Sequence, residues 1–224
     1  MAEGLIGGLS STPEVAVLCC VLLKKYFLDP RSTANLSPED LERLKASVEA
    51  SFDFENQPLH LLKRKGDVLS KLYSKLNKKQ ELLQWLTSQC SNESAKVRQF
   101  AMYVLETLSE VELSSEELSG AKDQFTAIFS QALQDSEVQV RVAALQAVSA
   151  FLSGIDDTAI ALSFAQILPT LVDVIVDALR NDEDQGRKAL ESLCELTSAH
   201  PEVWKTESYL SKLLNVVSEI TQTT

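Results

Sequence analysis

The chain has 224 residues, 45% of them hydrophobic and 6% aromatic, with only 7 Gly and 6 Pro. That length supports a large core, while so few turn formers and aromatics argue against a β-sandwich or barrel and leave an all-α fold as the expectation. A net charge of −11 is unevenly placed, residues 1–80 carrying 12 Lys and Arg against 10 acids and residues 81–224 carrying 9 against 22, which disfavours direct nucleic-acid binding and favours basic protein partners.

In chain order, Gly4 to Ser11 reads as the tail of a first helix, Ser11-Thr12-Pro13 as a turn, and Glu14 to about Leu28 as a second helix. The nine apolar residues 15–23 within it are too few to cross a bilayer, and Glu3 and Glu14 stand where a signal peptide needs basic residues. No membrane contact is expected. Residues 29–35 read as a loop, and Ser37-Pro38-Glu39-Asp40 starts a helix with Ser as N-cap, Pro in the first turn and acids beside it. Further helices are expected at about 38–53, 58–76, 79–91, 94–109, 115–134 and 137–153. A long helix kinked at Pro169 is expected over 158–180, then one at 184–199, a break at His200-Pro201, and a last helix at 206–221.

Three turns between paired helices share one pattern. Asn92 precedes Arg98, Asp135 precedes Arg141 and Asn181 precedes Arg187, each by six residues. The arginines are spaced 43 and 46 residues apart, in the range of HEAT repeats and outside the 34 of a tetratricopeptide repeat. In the same register Gln57 and Lys63 hold the two positions one repeat earlier, and Ser10 and Ala16 hold them in the first repeat. The carboxamide or carboxylate can cap the second helix, and the arginine fork can bridge to the turn of a neighbouring hairpin, so the six residues are expected to form a structural ladder. The fold expected is an all-α HEAT-repeat α-solenoid, a right-handed superhelix of antiparallel helix pairs. It would be a single array over 1–224 with five to six repeats at about 1–28, 36–76, 79–110, 115–154, 158–200 and an incomplete 206–224. The short first hairpin and the apolar last helix, with Leu210, Leu213, Leu214, Val216, Val217 and Ile220, lead to the expectation of a fragment of a longer array.

In such a stack the second helices line the concave surface. Eight positions past the arginine register come Lys24, Lys71, Glu106, Ser149 and Glu195, and Lys25, Arg64, Lys75, Gln99, Tyr103, Gln146 and Lys188 share that face. Candidate partner contacts therefore run from basic to acidic along the chain, the alternative being a solvated helix face. Phe125, Phe129 and Phe164 read as core, or, if exposed, as a shallow apolar slot.

Catalysis needs an oriented base beside a nucleophile or a tuned carboxylate pair, and the imidazoles on offer are His60 near a helix start and His200 in a helix-ending turn. The Gly-rich start lacks the strand and the Lys-Ser or Lys-Thr of a phosphate loop. Asp156-Asp157 and Asp182-Glu183-Asp184 precede helices, where they meet the dipole, and lack the ligand spacing of a calcium loop. Cys19, Cys20, Cys90 and Cys194 have no metal-clamp spacing and read as buried small hydrophobes of a reducing compartment. No enzyme site, metal or cofactor is expected.

Pro13-Glu14-Val15 and Val21-Leu22-Leu23-Lys24-Lys25 resemble the importin N-terminal helix. The stretch Ala161 to Pro169, then Asn181 to Asp184 and Lys188 to Leu196, is similar to the fifth repeat of the same family. Across nearly its whole length the chain resembles the N-terminal HEAT repeats of the β-karyopherin (importin beta) family, nearest to the importin beta-3 members. Ala16 departs from the family's usual arginine, so the ladder would start only at the second repeat. The resemblance implies a nuclear transport receptor segment that binds Ran-GTP and FG nucleoporins, carries basic cargo and shuttles between cytoplasm and nucleus. A different HEAT scaffold, tubulin-binding or phosphatase-type, is the competing reading, although Trp85 lies inside a helix and the turns are acidic.

Overall fold

A computed structural model describes residues 2–34, 36–109, 115–155 and 157–201, together with 211, 212, 214, 215 and 218. The described residues form helices and turns, with no strand among them. Asp156 and most of the expected final helix, including Leu210, Leu213, Val216, Val217 and Ile220, lie outside the described residues. The chain divides into two compact units, Met1–Val104 and Leu105–Thr224.

In the first unit α1 (Ala2–Gly7), a 3-10 turn at Gly8–Ser10 and α2 (Pro13–Leu28) make the first hairpin. Ala16, Cys19, Cys20, Leu23 and Phe27 recur at helical spacing on α2 and bury its inner face against α5 (Leu59–Lys75). The expected loop at 29–35 instead holds a one-turn helix, α3 (Pro30–Thr33). Asp29 starts it by accepting from the Arg31 N–H at 3.0 Å and the Ser32 hydroxyl at 2.8 Å. Helix α4 (Pro38–Ala50) begins as expected: Ser37 and Asp40 form a reciprocal capping box with Pro38 at the first position. Asn77 sits at φ 56, so the turn into α6 (Lys79–Cys90) uses a left-handed residue that asparagine tolerates. Helix α7 (Ala95–Ser109) packs on α5 closely enough that a Cβ on Gly66 would lie 2.8 Å from Val104 Cγ2 and 3.0 Å from the Phe100 ring.

Leu61, Leu62, Val68, Leu69 and Leu72 are buried on α5, each contributing about 1.5–3 kcal/mol. The stretch between α4 and α5 packs its own aromatics: Phe52 and Phe54 stack at 5.4 Å, and both lie within 5.5 Å of the Phe100 ring. Trp85 joins that cluster at 6.2 Å from Phe100, and so is committed to packing.

In the second unit α8 (Ser115–Ala132) pairs with α9 (Val138–Ser153), and α11 (Leu168–Asn181) pairs with α12 (Glu183–Ala199). The single kinked helix expected over 158–180 is corrected to three pieces: α10 (Thr158–Leu162), a 3-10 turn at Ala165–Ile167, and α11. Pro169 sits in the first turn of α11, where its missing N–H costs nothing and its fixed φ suits the helix. Phe125, Phe129 and Phe164 are buried and gather around Phe151 at centroid distances of 4.5, 5.6 and 5.4 Å, so they form core and no external slot. His200 is buried too, with Nε2 2.8 Å from the Leu152 carbonyl oxygen, closing the end of α12 onto the end of α9.

Candidate partner-binding surface

The three Asx–Arg turns resolve into two matched copies and one variant. Asn92 Oδ1 accepts from the Ser94 N–H and Asp135 Oδ1 from the Glu137 N–H, both at 2.9 Å. In the same two turns Arg98 Nη1 donates to the Asn92 and Glu93 carbonyls at 2.9 Å each, and Arg141 Nη1 to those of Asp135 and Ser136 at 2.7 and 3.0 Å. Each arginine thus covers the carbonyls that its own turn leaves unpaired. Arg141 also reaches into the next hairpin, where its partner is Asp177, one turn before Asn181. The third turn differs. Asp182 caps α12 by accepting from Gln185 N–H, Asn181 donates back to Asp177, and Arg187 pairs with Glu191 at 3.2 Å on the exposed side of its own helix. In the earlier register Gln57 accepts from Lys65 at 3.1 Å, while Lys63 sits 4.5 Å above the Tyr103 ring.

On the second helices of the first unit, one buried carboxylate organises the charge. The Asp67 side chain is 1% exposed and lies 3.1 Å from Lys24 Nζ on α2, and 3.6 Å from Arg64 on its own helix. Tyr103 on α7 donates its hydroxyl to the other oxygen at 2.8 Å. The structure therefore brings Lys24, Arg64 and Tyr103 together, with Lys63 stacked behind. Cys20, Val21, Lys24, Lys25, Leu28, Arg64 and Asp67 line a shallow cleft of about 270 Å³ beside this cluster. Burial pushes the Cys20 thiol up to about 12, so it stays protonated and unreactive. Lys65 is fully buried and donates to the Ser51 carbonyl and to Gln57; burial lowers its pKa.

Of the remaining candidates, Lys25 and Lys75 are exposed, Lys71 and Gln99 half-buried, and Lys75 reaches the Thr33 hydroxyl at 3.4 Å. In the second unit Ser149 is buried and donates to the Ser192 carbonyl at 3.0 Å and to exposed Glu195 at 2.9 Å, while Glu106, Gln146 and Lys188 are half-buried. Cys19, Cys20 and Cys90 are buried as expected, but Cys194 is exposed, because the buried stripe of α12 runs through Ala189, Ser192 and Leu196. His60 is exposed. Among the described residues no three His, Cys, Asp or Glu side chains are grouped to hold a metal ion. The local sequence pattern does not single out Asp67 or Lys65. The available signal was that Asp67 is the lone acid of α5, four and three residues after Lys63 and Arg64.

The family model described as IPO5-like, TPR repeats, matches residues 60–222. The chain belongs to this importin family, the β-karyopherins. No curated protein matches the sequence in a direct comparison. Among solved structures, a mutant of Kap121p superposes with a TM-score of 0.74 at 20% identity, over 92% of this chain and 19% of that one. Kap121p bound to Nup53p gives 0.72 at 20% identity over 91% and 20%, and the karyopherin Kap121p bound to the SUMO protease Ulp1p gives the same values. These likenesses establish the all-α HEAT-repeat fold. This karyopherin chain spans about a fifth of the length of those solved chains. Although the family description speaks of TPR repeats, the spacing of 43 and 46 residues between the turn arginines is that of HEAT pairs.

Proposed function

We propose that this chain is a segment of a nuclear transport receptor that binds Ran in its GTP form and meets nucleoporins during protein import, shuttling between cytoplasm and nucleus. The family membership supports the receptor reading, and the carrying observation is the cationic cluster on α2 and α5. There Asp67 clamps Lys24 and Arg64 in place, and Lys25 stands exposed beside them. Preorganised cations on a folded surface raise association rates with acidic partners and fix their orientation without the entropic cost of ordering loose side chains. Kap121p has been seen with Nup53p and with Ulp1p, which supports protein ligands of those kinds for this chain.

A pull-down of the 224-residue chain with Ran locked in its GTP and GDP forms tests the reading. Preferential capture of the GTP form, reduced about tenfold or more by Lys25→Glu with Arg64→Glu, is the expected result. Equal capture of both forms, or none, overturns it.

A further inference from the structure

The first helices of two adjacent hairpins in the first unit, α4 and α6, meet through charge. Glu42, Lys45 and Glu49 follow one another at three and four residues on α4 and so share one side of it, beside the buried Leu44 and Val48. Lys45 sits at the centre. Its side chain is 12% exposed, its Nζ lies 4.6 Å above the Tyr73 ring, and it stands 3.6, 3.8 and 4.0 Å from the carboxylates of Glu42, Glu49 and, on α6, Glu81. Lys78 joins from the turn that left-handed Asn77 makes, at 2.6 Å from Glu42 and 3.4 Å from Glu81. The Tyr73 hydroxyl donates to Glu49 at 2.6 Å and ties α5 to the same node.

Isolated surface ion pairs contribute little, but here two cations are shared among three carboxylates of two helices, and a network is the exception to that rule. Lys78 holds the Glu42 carboxyl below its ordinary 4.5, and Glu42 in turn holds Lys78 above its ordinary 10.5, so both stay charged at neutral pH. The three carboxylate side chains are between 36 and 53% exposed, so dissolved ions reach them. The second helices of the same two hairpins are joined differently. Tyr103 of α7 donates to Asp67 of α5, whose side chain is 1% exposed, and salt screens a buried contact of this kind much less. One edge of the hairpin pair is thus held by ions in contact with water, the other by a group sealed from it.

We infer that the network around Lys45 and Lys78 is an ionic brace, responsive to ionic strength, which sets the spacing of α4 and α6 while the Asp67 contact keeps α5 and α7 fixed. In a helical array each hairpin touches its neighbours alone, so a change of spacing at one edge tilts one hairpin against the next. Screening the brace swings α6 away from α4 about the sealed contact.

Double electron–electron resonance between spin labels at Ser47→Cys on α4 and Ser88→Cys on α6, both exposed, is the test, in the 224-residue chain carrying Cys194→Ser because that thiol is exposed. A second label pair, at Lys71→Cys and Gln99→Cys, reports α5 against α7. Raising NaCl from about 0.1 to about 1 M shortens the Debye length from about 10 to about 3 Å, and the α4–α6 distance should lengthen by on the order of 1–2 Å while the α5–α7 distance stays. Lys45→Met combined with Lys78→Met keeps an apolar stem against the Tyr73 ring but leaves Glu42, Glu49 and Glu81 facing one another, so the starting distance should be longer and salt should shorten it. That reversal of sign separates the brace from a general effect of salt on the fold. A native α4–α6 distance indifferent to salt overturns the inference. So does an equal change in the α5–α7 pair, or a double variant in which salt still lengthens the α4–α6 distance.

Discussion

The Tyr103 hydroxyl donates to Asp67 Oδ1 at 2.8 Å, and Lys24 Nζ takes Asp67 Oδ2 at 3.1 Å, so one buried carboxylate joins α7, α5 and α2. Three consecutive second helices are held in register by a group with almost no access to solvent. A buried charge of this kind is costly unless every oxygen is engaged, and here both are.

Removing one partner at a time separates the contributions. Tyr103→Phe deletes a single donor to a charged acceptor and should lower stability by about 1.5–3 kcal/mol in urea unfolding. Asp67→Ala should cost more, about 3–5 kcal/mol, because it strands Tyr103 and leaves Lys24 and Arg64 facing each other. In a double-mutant cycle the two changes should be strongly non-additive. Additive losses would show that the Tyr103 hydroxyl stabilises independently of Asp67, and no loss in Tyr103→Phe that the ring acts by packing alone.

Arg141 and Arg187 occupy equivalent positions in sequence and unequal ones in space. The Arg141 side chain is 19% exposed, closes its turn and holds Asp177, whereas Arg187 is 64% exposed and, among the described residues, pairs with a neighbour on its own helix. Arg141→Ala should therefore destabilise by about 1–3 kcal/mol and Arg187→Ala by less than about 0.5 kcal/mol. Thermal unfolding of the two variants side by side checks the difference. Equal losses would mean that the register alone, and not the local geometry, sets the role of the arginine.

That contrast also shows what could be read from sequence. Helix positions and the first two Asx–Arg turns depend on contacts within a dozen residues: the 3.6-residue apolar period of α7 and α9, and the caps at Ser37, Asn92 and Asp135. The Asp67 cluster was hidden because Lys24, Asp67 and Tyr103 are about forty residues apart, and no local spacing states which turn of α2 faces which turn of α5. Gln57 shows the same limit, its partner being Lys65 and not Lys63, two positions earlier in the register. Pro169 illustrates a different limit: proline at a first turn and proline at a kink look alike in sequence, and the 3-10 turn before Leu168 decides between them.

The capping box at Ser37 fixes the pH response of α4. Hydrogen bonds from the Ser37 side chain, and then its backbone N–H, hold the Asp40 carboxyl below its ordinary 3.8. A carboxylate with a depressed folded pKa stabilises above the unfolded value, and that contribution is lost as pH falls through the folded one. NMR titration should show Asp40 protonating below 3.8 in the native chain and at a higher pH in Ser37→Ala, which loses the hydroxyl but keeps the backbone N–H and Arg43, with exchange protection at the start of α4 falling over the same interval. An unchanged Asp40 titration in the variant would assign the depression to the backbone N–H of residue 37 and to Arg43 instead.

Gly66 limits how closely α5 and α7 approach. An added Cβ would meet Val104 Cγ2 at 2.8 Å and Phe100 at 3.0 Å, and Phe100 is itself locked among Phe52, Phe54 and Trp85, so it has little room to give. Replacing a helical glycine by alanine ordinarily gains about 1 kcal/mol of backbone propensity. Overpacking costs about 1–3 kcal/mol where side chains cannot shift, which outweighs the gain. Gly66→Ala should therefore be destabilising overall, whereas Gly4→Ala in α1, where nothing lies within 4 Å of the new methyl, should be neutral or mildly stabilising. Val104→Ala combined with Gly66→Ala should return part of the loss by opening the space that the methyl needs. If Gly66→Ala raises the midpoint of thermal unfolding on its own, the close approach of α5 to α7 is not what holds a glycine at this position.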